Sequence, residues 1–421
     1  MRPSLTVCSS SDDTHFSNIN LPRWFLLNCL SPTHRHSNLQ RRFADAGLWI
    51  LILLSLFLAN PAWAESPLSL VIENQTYFYN RELGKEVDMS LKTEGFTLTG
   101  NLTKVFFRYE IKKGLRVEAG VLWNFEFGND NVPNQVDPII SLHYAFAPDW
   151  LLTAGTIDRN HALHQAFFAD FLRYLEPIEQ GFQIKANSQH IRQDIWLSWE
   201  ERETDTEREK FSLGNVTQLK AEGFMMDAQV YWVHLGGQQN SGPGVFNNLS
   251  LGLGGGYTYR PEKPGGGSGW LDEIGFTIYY LQNSDDPPAL PKVDEDGMAY
   301  RGFVTVWDTY IYYQHWRGGS LNFNSPRGDI TMPGVPLAKG DPIYRAPVFD
   351  EVGFIKTWDL ADEVIATLDF RAQFLMGRFE PVMALNFTWR PEFPMFEEYF
   401  KTRTPPQPEP IEPPIGRPYG F

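Results

Sequence analysis

Cysteine is all but missing from this chain. Its two copies, Cys8 and Cys29, both fall within the first 64 residues. The chain beyond residue 64 has neither a disulfide nor a thiolate metal site to hold it together. It also has no run of 18 apolar residues, which argues against a transmembrane helix there. Positive charge is scarce too. The 421 residues carry 36 basic and 51 acidic side chains, a net of -15. Phosphate binding along a nucleic acid needs a basic surface, so a nucleic-acid partner is not expected. Apolar content is not lacking. Hydrophobic residues make up 42% and aromatics 14%, which rules out wholesale disorder.

The start of the chain reads as an address rather than as fold. Arg41 and Arg42 precede an apolar stretch from Gly47 to Ala59, and Ala62-Trp63-Ala64 closes it. A positive start, a short apolar core and an Ala-x-Ala end make a secretory signal peptide, too short to span a bilayer as a helix. Residues 1–45 are then an N-terminal extension or signal n-region, and 46–64 the signal core and cleavage site. The mature chain of 65–421 keeps 31 basic and 48 acidic side chains, a net of -17.

From there the sequence alternates. Leu115, Val117, Ala119, Val121, Trp123, Phe125 and Phe127 interleave with Arg116, Glu118, Asn124 and Glu126. Only a strand puts such a series on two faces, because successive side chains point to opposite sides. The pattern recurs over 140–146, 191–199, 224–232, 364–376 and 382–390, and less regularly near 69–80, 95–111, 151–157, 211–220, 245–260, 274–283, 298–307 and 310–316. Several runs are longer than the five or six residues usual in soluble sheets and match the roughly 9–11 of a tilted membrane strand. Aromatics gather near the ends of the apolar faces, as at Trp199, Trp232 and Trp389. Two architectures accommodate this: a transmembrane barrel, apolar outside, or a secreted β-sandwich binding or cleaving glycans, apolar inside. Strand length, aromatic ends and the export signal favour an all-β, antiparallel transmembrane barrel over 65–400. At roughly 20 residues per strand and loop it would have about 16 strands, within 12–18.

Thr76 to Glu82 (TYFYNRE) and Gln193 to Gly214 (QDIWLSWEERETDTEREKFSLG) are similar to stretches of uncharacterised envelope barrels, and residues 70–400 as a whole resemble Gram-negative, porin-like outer-membrane β-barrels. The resemblance implies an outer-membrane location, with membrane lipid and the barrel-assembly machinery as partners. It carries no activity. Phe387-x-Trp389 matches the aromatic part of the usual closing strand. A Pro-rich tail, 401–421, comes after it and could hold a periplasmic partner in an extended conformation.

The polar faces supply the candidate site. Arg116, Glu118, Glu126, Arg192, Asp194, Asp227, Asp369, Arg371 and Arg390 are expected to line the lumen. Opposed charges across a wet lumen select solutes. Leu163, Phe167, Phe171 and Leu175 recur at helical spacing, so a loop helix is expected near 159–178, with Arg159, His161, His164, Asp170 and Arg173 as constriction residues. His161 and His164 could share a metal on such a helix, but no third ligand stands at matching spacing. Asp294-Glu295-Asp296-Gly297 reads as an acidic turn. No Gly-x-Ser-x-Gly or His-Glu-x-x-His motif selects a nucleophile or metal, so neither an enzyme nor a cofactor is expected. The functional expectation is a passive or gated pore for small hydrophilic solutes, cations or neutral molecules given the negative charge. The alternative is a closed structural or export-associated barrel.

Overall fold

The computed structural model describes residues 68–395, apart from 92, 131–132, 241, 243, 262–269, 287–290 and 319–338. The expected leader of 46–64, the extension before it and the Pro-rich tail lie outside the described residues.

Sixteen antiparallel staves close on themselves. They are β1 Leu68–Arg81, β2 Phe96–Lys112, β3 Leu115–Glu126, β4 Gln135–Ala147, β5 Trp150–Asp158, β6 Ile178–Asn187, β7 Ile191–Glu201 and β8 Glu209–Ala221. The second half is β9 Phe224–Gly236, β10 Phe246–Tyr259, β11 Leu271–Asp286, β12 Val293–Val306, β13 Thr309–Gly318, β14 Val348–Ala361, β15 Val364–Leu375 and β16 Arg378–Trp389. Each strand pairs with the next, and β16 returns to β1 with Asn74 opposite Trp389. Pro391, which has no N–H to donate, interrupts that last stave. It resumes as β17, Glu392–Met395, against Leu68–Val71. The strand near 380–390 therefore closes the barrel.

The wall explains its own sequence. Phe107, Ile140, Leu142, Phe182, Phe224 and Leu253 face outward and exposed. In water such a surface would aggregate; in a bilayer it is the contact with lipid. The inward positions are polar and buried, among them Glu118, Asp194, Asp227 and Arg371. This distribution, inverted relative to a soluble protein, excludes the β-sandwich.

Chain reversals differ between the two ends. One end has tight turns, such as 113–114, 148–149, 222–223, 307–308 and 362–363; the other carries the long connections at 82–95, 159–177 and 319–347. Short turns mark the periplasmic end of such barrels and long loops the extracellular end.

One expectation is narrowed and one corrected. Besides α1, Lys85–Leu91, in the first long loop, the loop helix expected near 159–178 is present but minor: it is α2, Leu172–Leu175. The stretch lies in the lumen, where Phe167, Phe168 and Leu172 are all buried, so its apolar residues need no single helical face. Residues 294–297 are not a turn but belong to β12, where Asp294 and Asp296 alternate with inward Glu295.

Candidate functional site

The lumen has two unlike halves. Toward the extracellular end it is filled. Residues 159–177 and 339–346 fold into it and bind each other, Asp341 N donating to the Gln165 carbonyl at 2.8 Å. The Arg81 guanidinium grips Asp341 with both nitrogens at 2.9 and 2.5 Å, both side chains fully buried. Arg371, between Asp369 and Asp170, ties the inner loop to β15. Arg159 pairs with Glu179 at 2.8 Å and with Glu176, and Lys339 reaches Glu176 at 2.8 Å. The His161 ring lies flat on Trp196, centroids 3.5 Å apart and 6° from parallel, with Nδ1 2.9 Å from Asp194. Around these contacts Phe167, Phe168, Leu172, Ile343 and Tyr344 belong to the largest apolar core of the molecule, which sits inside the barrel.

Several of these groups titrate away from their ordinary values. Burial disfavours the His161 imidazolium, but Asp194 and Glu179 outweigh it and raise its pKa. Burial lowers that of His164, and Arg301 lowers it further. Burial would raise Glu176, yet Lys339 and Arg159 bring it down to about 2.

Toward the periplasmic end the lumen opens into a cavity of about 360 Å³. Lys104, Arg108, Arg116, Lys185 and Arg390 lie on its wall, and Arg159 and Arg173 of the inner loop form its far side. Three acidic side chains, Glu73, Glu118 and Asp158, join them. His143 places Nε2 3.3 Å from Glu118 and Nδ1 3.1 Å from the Thr153 hydroxyl.

The sequence-expected residues divide between these halves. Arg116, Glu118, Arg390, Arg159 and Arg173 meet at the cavity. Asp194, Asp369, Arg371, His161 and Asp170 are in the plug contacts, and His164 anchors through its backbone N–H on Gln229 at 2.7 Å. Asp227 instead accepts from Gln218 at 2.6 Å. Glu126 bonds Asn129 beside its own loop, and Arg192 is half-buried on β7. Among the described residues no group of three or more His, Cys, Asp or Glu side chains is arranged to hold a metal ion.

A third constellation lies on the outer wall and was not read from the sequence. His315 of β13 and Asp350 of β14 sit opposite each other, and Nδ1 meets Oδ1 at 2.8 Å. The Tyr313 hydroxyl donates to the same Oδ1 at 2.6 Å. Both members of the pair are over one-third exposed, on the lipid-facing side. His315 is three residues from the extracellular end of β13. At roughly 3.4 Å per residue and a tilt near 40°, that is about 8 Å below the strand end, at the membrane interface. The signal was the outward series Ile311, Tyr313, His315, Arg317, where a titratable ring breaks an apolar alternation.

Fold, wall and charge distribution define an outer-membrane β-barrel of a Gram-negative bacterium. The chain belongs to the Lipid A 3'-O-deacylase-type family, whose model matches residues 60–398. No curated protein matches it in sequence. Similar solved structures include a loop-deleted OmpT from Vibrio cholerae, at 11% identity and TM-score 0.44, covering 77% of this chain and 99% of that one. OprD from Pseudomonas aeruginosa is 12% identical with TM-score 0.43, covering 77% and 94%. Salmonella typhi OmpF, in complex with daunomycin, is 9% identical with TM-score 0.44, covering 78% and 98%. The family match overturns the expectation that the chain is not an enzyme, because the family is named for an enzymatic activity. Motif reading could not bring His315 and Asp350 together: they are 35 residues apart and meet only through strand register.

Proposed function

We propose that this barrel hydrolyses an ester-linked acyl chain of a lipid A-type lipid in the outer leaflet, with His315 as general base and Asp350 as its orienting partner. The observation that carries the reading is the His315–Asp350 pair on the lipid-facing wall near the extracellular rim. The family's description, a lipid A 3'-O-deacylase, supports it. An Asp on Nδ1 fixes the tautomer and leaves Nε2 as the basic nitrogen. That nitrogen takes a proton from water, the hydroxide adds to the ester carbonyl, and the proton passes to the departing alkoxide. The products are a fatty acid and an alcohol. Tyr313 holds the carboxylate from the other side.

The interior Thr153–His143–Glu118 chain also joins a hydroxyl, an imidazole and a carboxylate, but a bilayer lipid does not lie against it, and two arginines already occupy Glu118. The pore reading requires the inner loops to leave the lumen.

The test is release of free fatty acid from lipid A-containing proteoliposomes, followed by mass spectrometry. His315→Ala and Asp350→Asn should each lose about 100-fold or more, in the range for a removed general base, with heat-modifiable gel mobility confirming a folded barrel. Full activity in His315→Ala defeats the assignment; loss in His143→Ala instead moves the chemistry inside the barrel.

A further inference from the structure

We infer that Arg317 binds a phosphate of the lipid headgroup and thereby sets the ester against His315. The inference rests on the wall dyad being the hydrolytic site. β13 carries both residues on its outward face, in the series Ile311, Tyr313, His315, Arg317. Residues two apart on a strand point the same way, and Arg317 is the nearer of the two to the extracellular end. At roughly 3.4 Å per residue and a tilt near 40°, it stands about 5 Å above His315. In an outer-leaflet lipid the phosphates lie in the headgroup and the acyl esters just beneath it. The order along the strand is therefore the order within the lipid, with the cation above and the basic nitrogen below.

Charge is the second argument. The plug arginines inside the barrel are matched: Arg81 holds Asp341, Arg371 holds Asp170 and Asp369, and Arg159 holds Glu179. Arg317 is exposed, and among the described residues its guanidinium meets no acid. Its partners across the sheet are Met298 of β12 and Val348 of β14, neither of them charged. The acids nearby on the same wall are engaged elsewhere. Asp350 takes His315 and Tyr313, Asp296 accepts from the Tyr280 hydroxyl at 3.1 Å, and Asp294 meets Lys292 at 3.2 Å. A guanidinium offers a planar fork that matches two oxygens of a phosphate. Tyr300, opposite His315 on β12 with ring centroids 6.2 Å apart, and Asp350 on β14 flank the imidazole. Along β13 the next outward side chain toward the rim is Arg317.

The experiment is steady-state kinetics of the folded protein in mixed micelles, with lipid A and chemically dephosphorylated lipid A as substrates. The parent protein should prefer lipid A through a lower apparent KM, not a higher kcat. Arg317→Gln should cut that preference in kcat/KM about tenfold or more, and Arg317→Lys less, because it keeps the charge without the fork. Heat-modifiable gel mobility confirms that each variant is a folded barrel. An arginine that only anchors the wall at the interface would change both substrates alike in Arg317→Gln, and that result overturns the inference. So does a parent protein that hydrolyses the two lipids equally well. His315→Ala separates the inference from the reading beneath it. If His315→Ala is inactive and Arg317→Gln keeps the parent's preference, the headgroup contact alone is overturned; if His315→Ala keeps full activity, the dyad falls and Arg317 with it.

Discussion

The two halves of the lumen are built from the same kind of residue and behave as opposites. Both are lined by inward-facing charged side chains of the same strands. In the extracellular half, Arg81 and Arg371 meet carboxylates brought in by the loops, the inner loop's Arg159 meets Glu179 of β6, and an apolar core packs around them. In the periplasmic half, Arg116, Lys104 and Arg390 share a few wall carboxylates around open space. A 16-strand barrel is wide enough for an aqueous channel. Whether that width becomes a channel depends on what the loops bring to the wall charges, not on the wall.

Removing one loop carboxylate should break the contrast most. Asp341→Ala strands the fully buried Arg81 guanidinium, and losing one partner of a buried pair costs about 3–5 kcal/mol. The barrel ladder is untouched, so the loss falls on the plug. In planar bilayers the variant should show frequent open steps where the parent protein stays closed. Replacing the pair together, Arg81→Met with Asp341→Leu, should restore closure, because the cost is the orphaned charge. If Asp341→Ala stays closed, the plug is held by its apolar packing.

The wall was legible in the sequence because a strand writes its two faces alternately, and every regular run became a stave. Strand number followed from length. The interior was less legible. A lumen-filling loop is buried on all sides, so Leu163, Phe167 and Phe171 mimic a helix stripe without making one. Arg81 and Asp341 are 260 residues apart, and nothing local marks them as partners. The lipid-facing dyad was hidden for a related reason: register across β13 and β14, not spacing along either strand, puts His315 against Asp350.

A smaller effect is expected from tightening the wall under the plug. Gly214 leaves the space into which the Trp196 ring fits; a Cβ there would lie 2.0 Å from the ring. Gly214→Ala must push the indole off, and with it the imidazole stacked on it. Overpacking of this kind costs about 1–3 kcal/mol. Proteolysis within 159–177 should quicken while the barrel's heat-modifiable mobility is unchanged. Unchanged cleavage would mean that the Trp196 stack does not anchor the loop.

The smallest effect tests the same anchor by pH. His161 meets Asp194 of β7 at 2.9 Å and Glu179 of β6 at 3.5 Å, and Arg159 of its own loop shares Glu179. The two carboxylates hold its pKa above the ordinary value in spite of burial. A raised folded pKa means that the charged ring gives its full contribution below the ordinary value of about 6.5 and loses it as pH rises through the folded value. The plug should therefore loosen as pH increases, the reverse of acid-triggered release. From about pH 6 to about pH 9 the frequency of spontaneous openings should rise in the parent protein. In His161→Gln, which keeps a hydrogen bond to Asp194 without a titrating charge, the profile should be flat and close to the parent's alkaline level. A parent profile that falls with pH, or one that His161→Gln reproduces, would assign the anchoring to the arginine pairs alone.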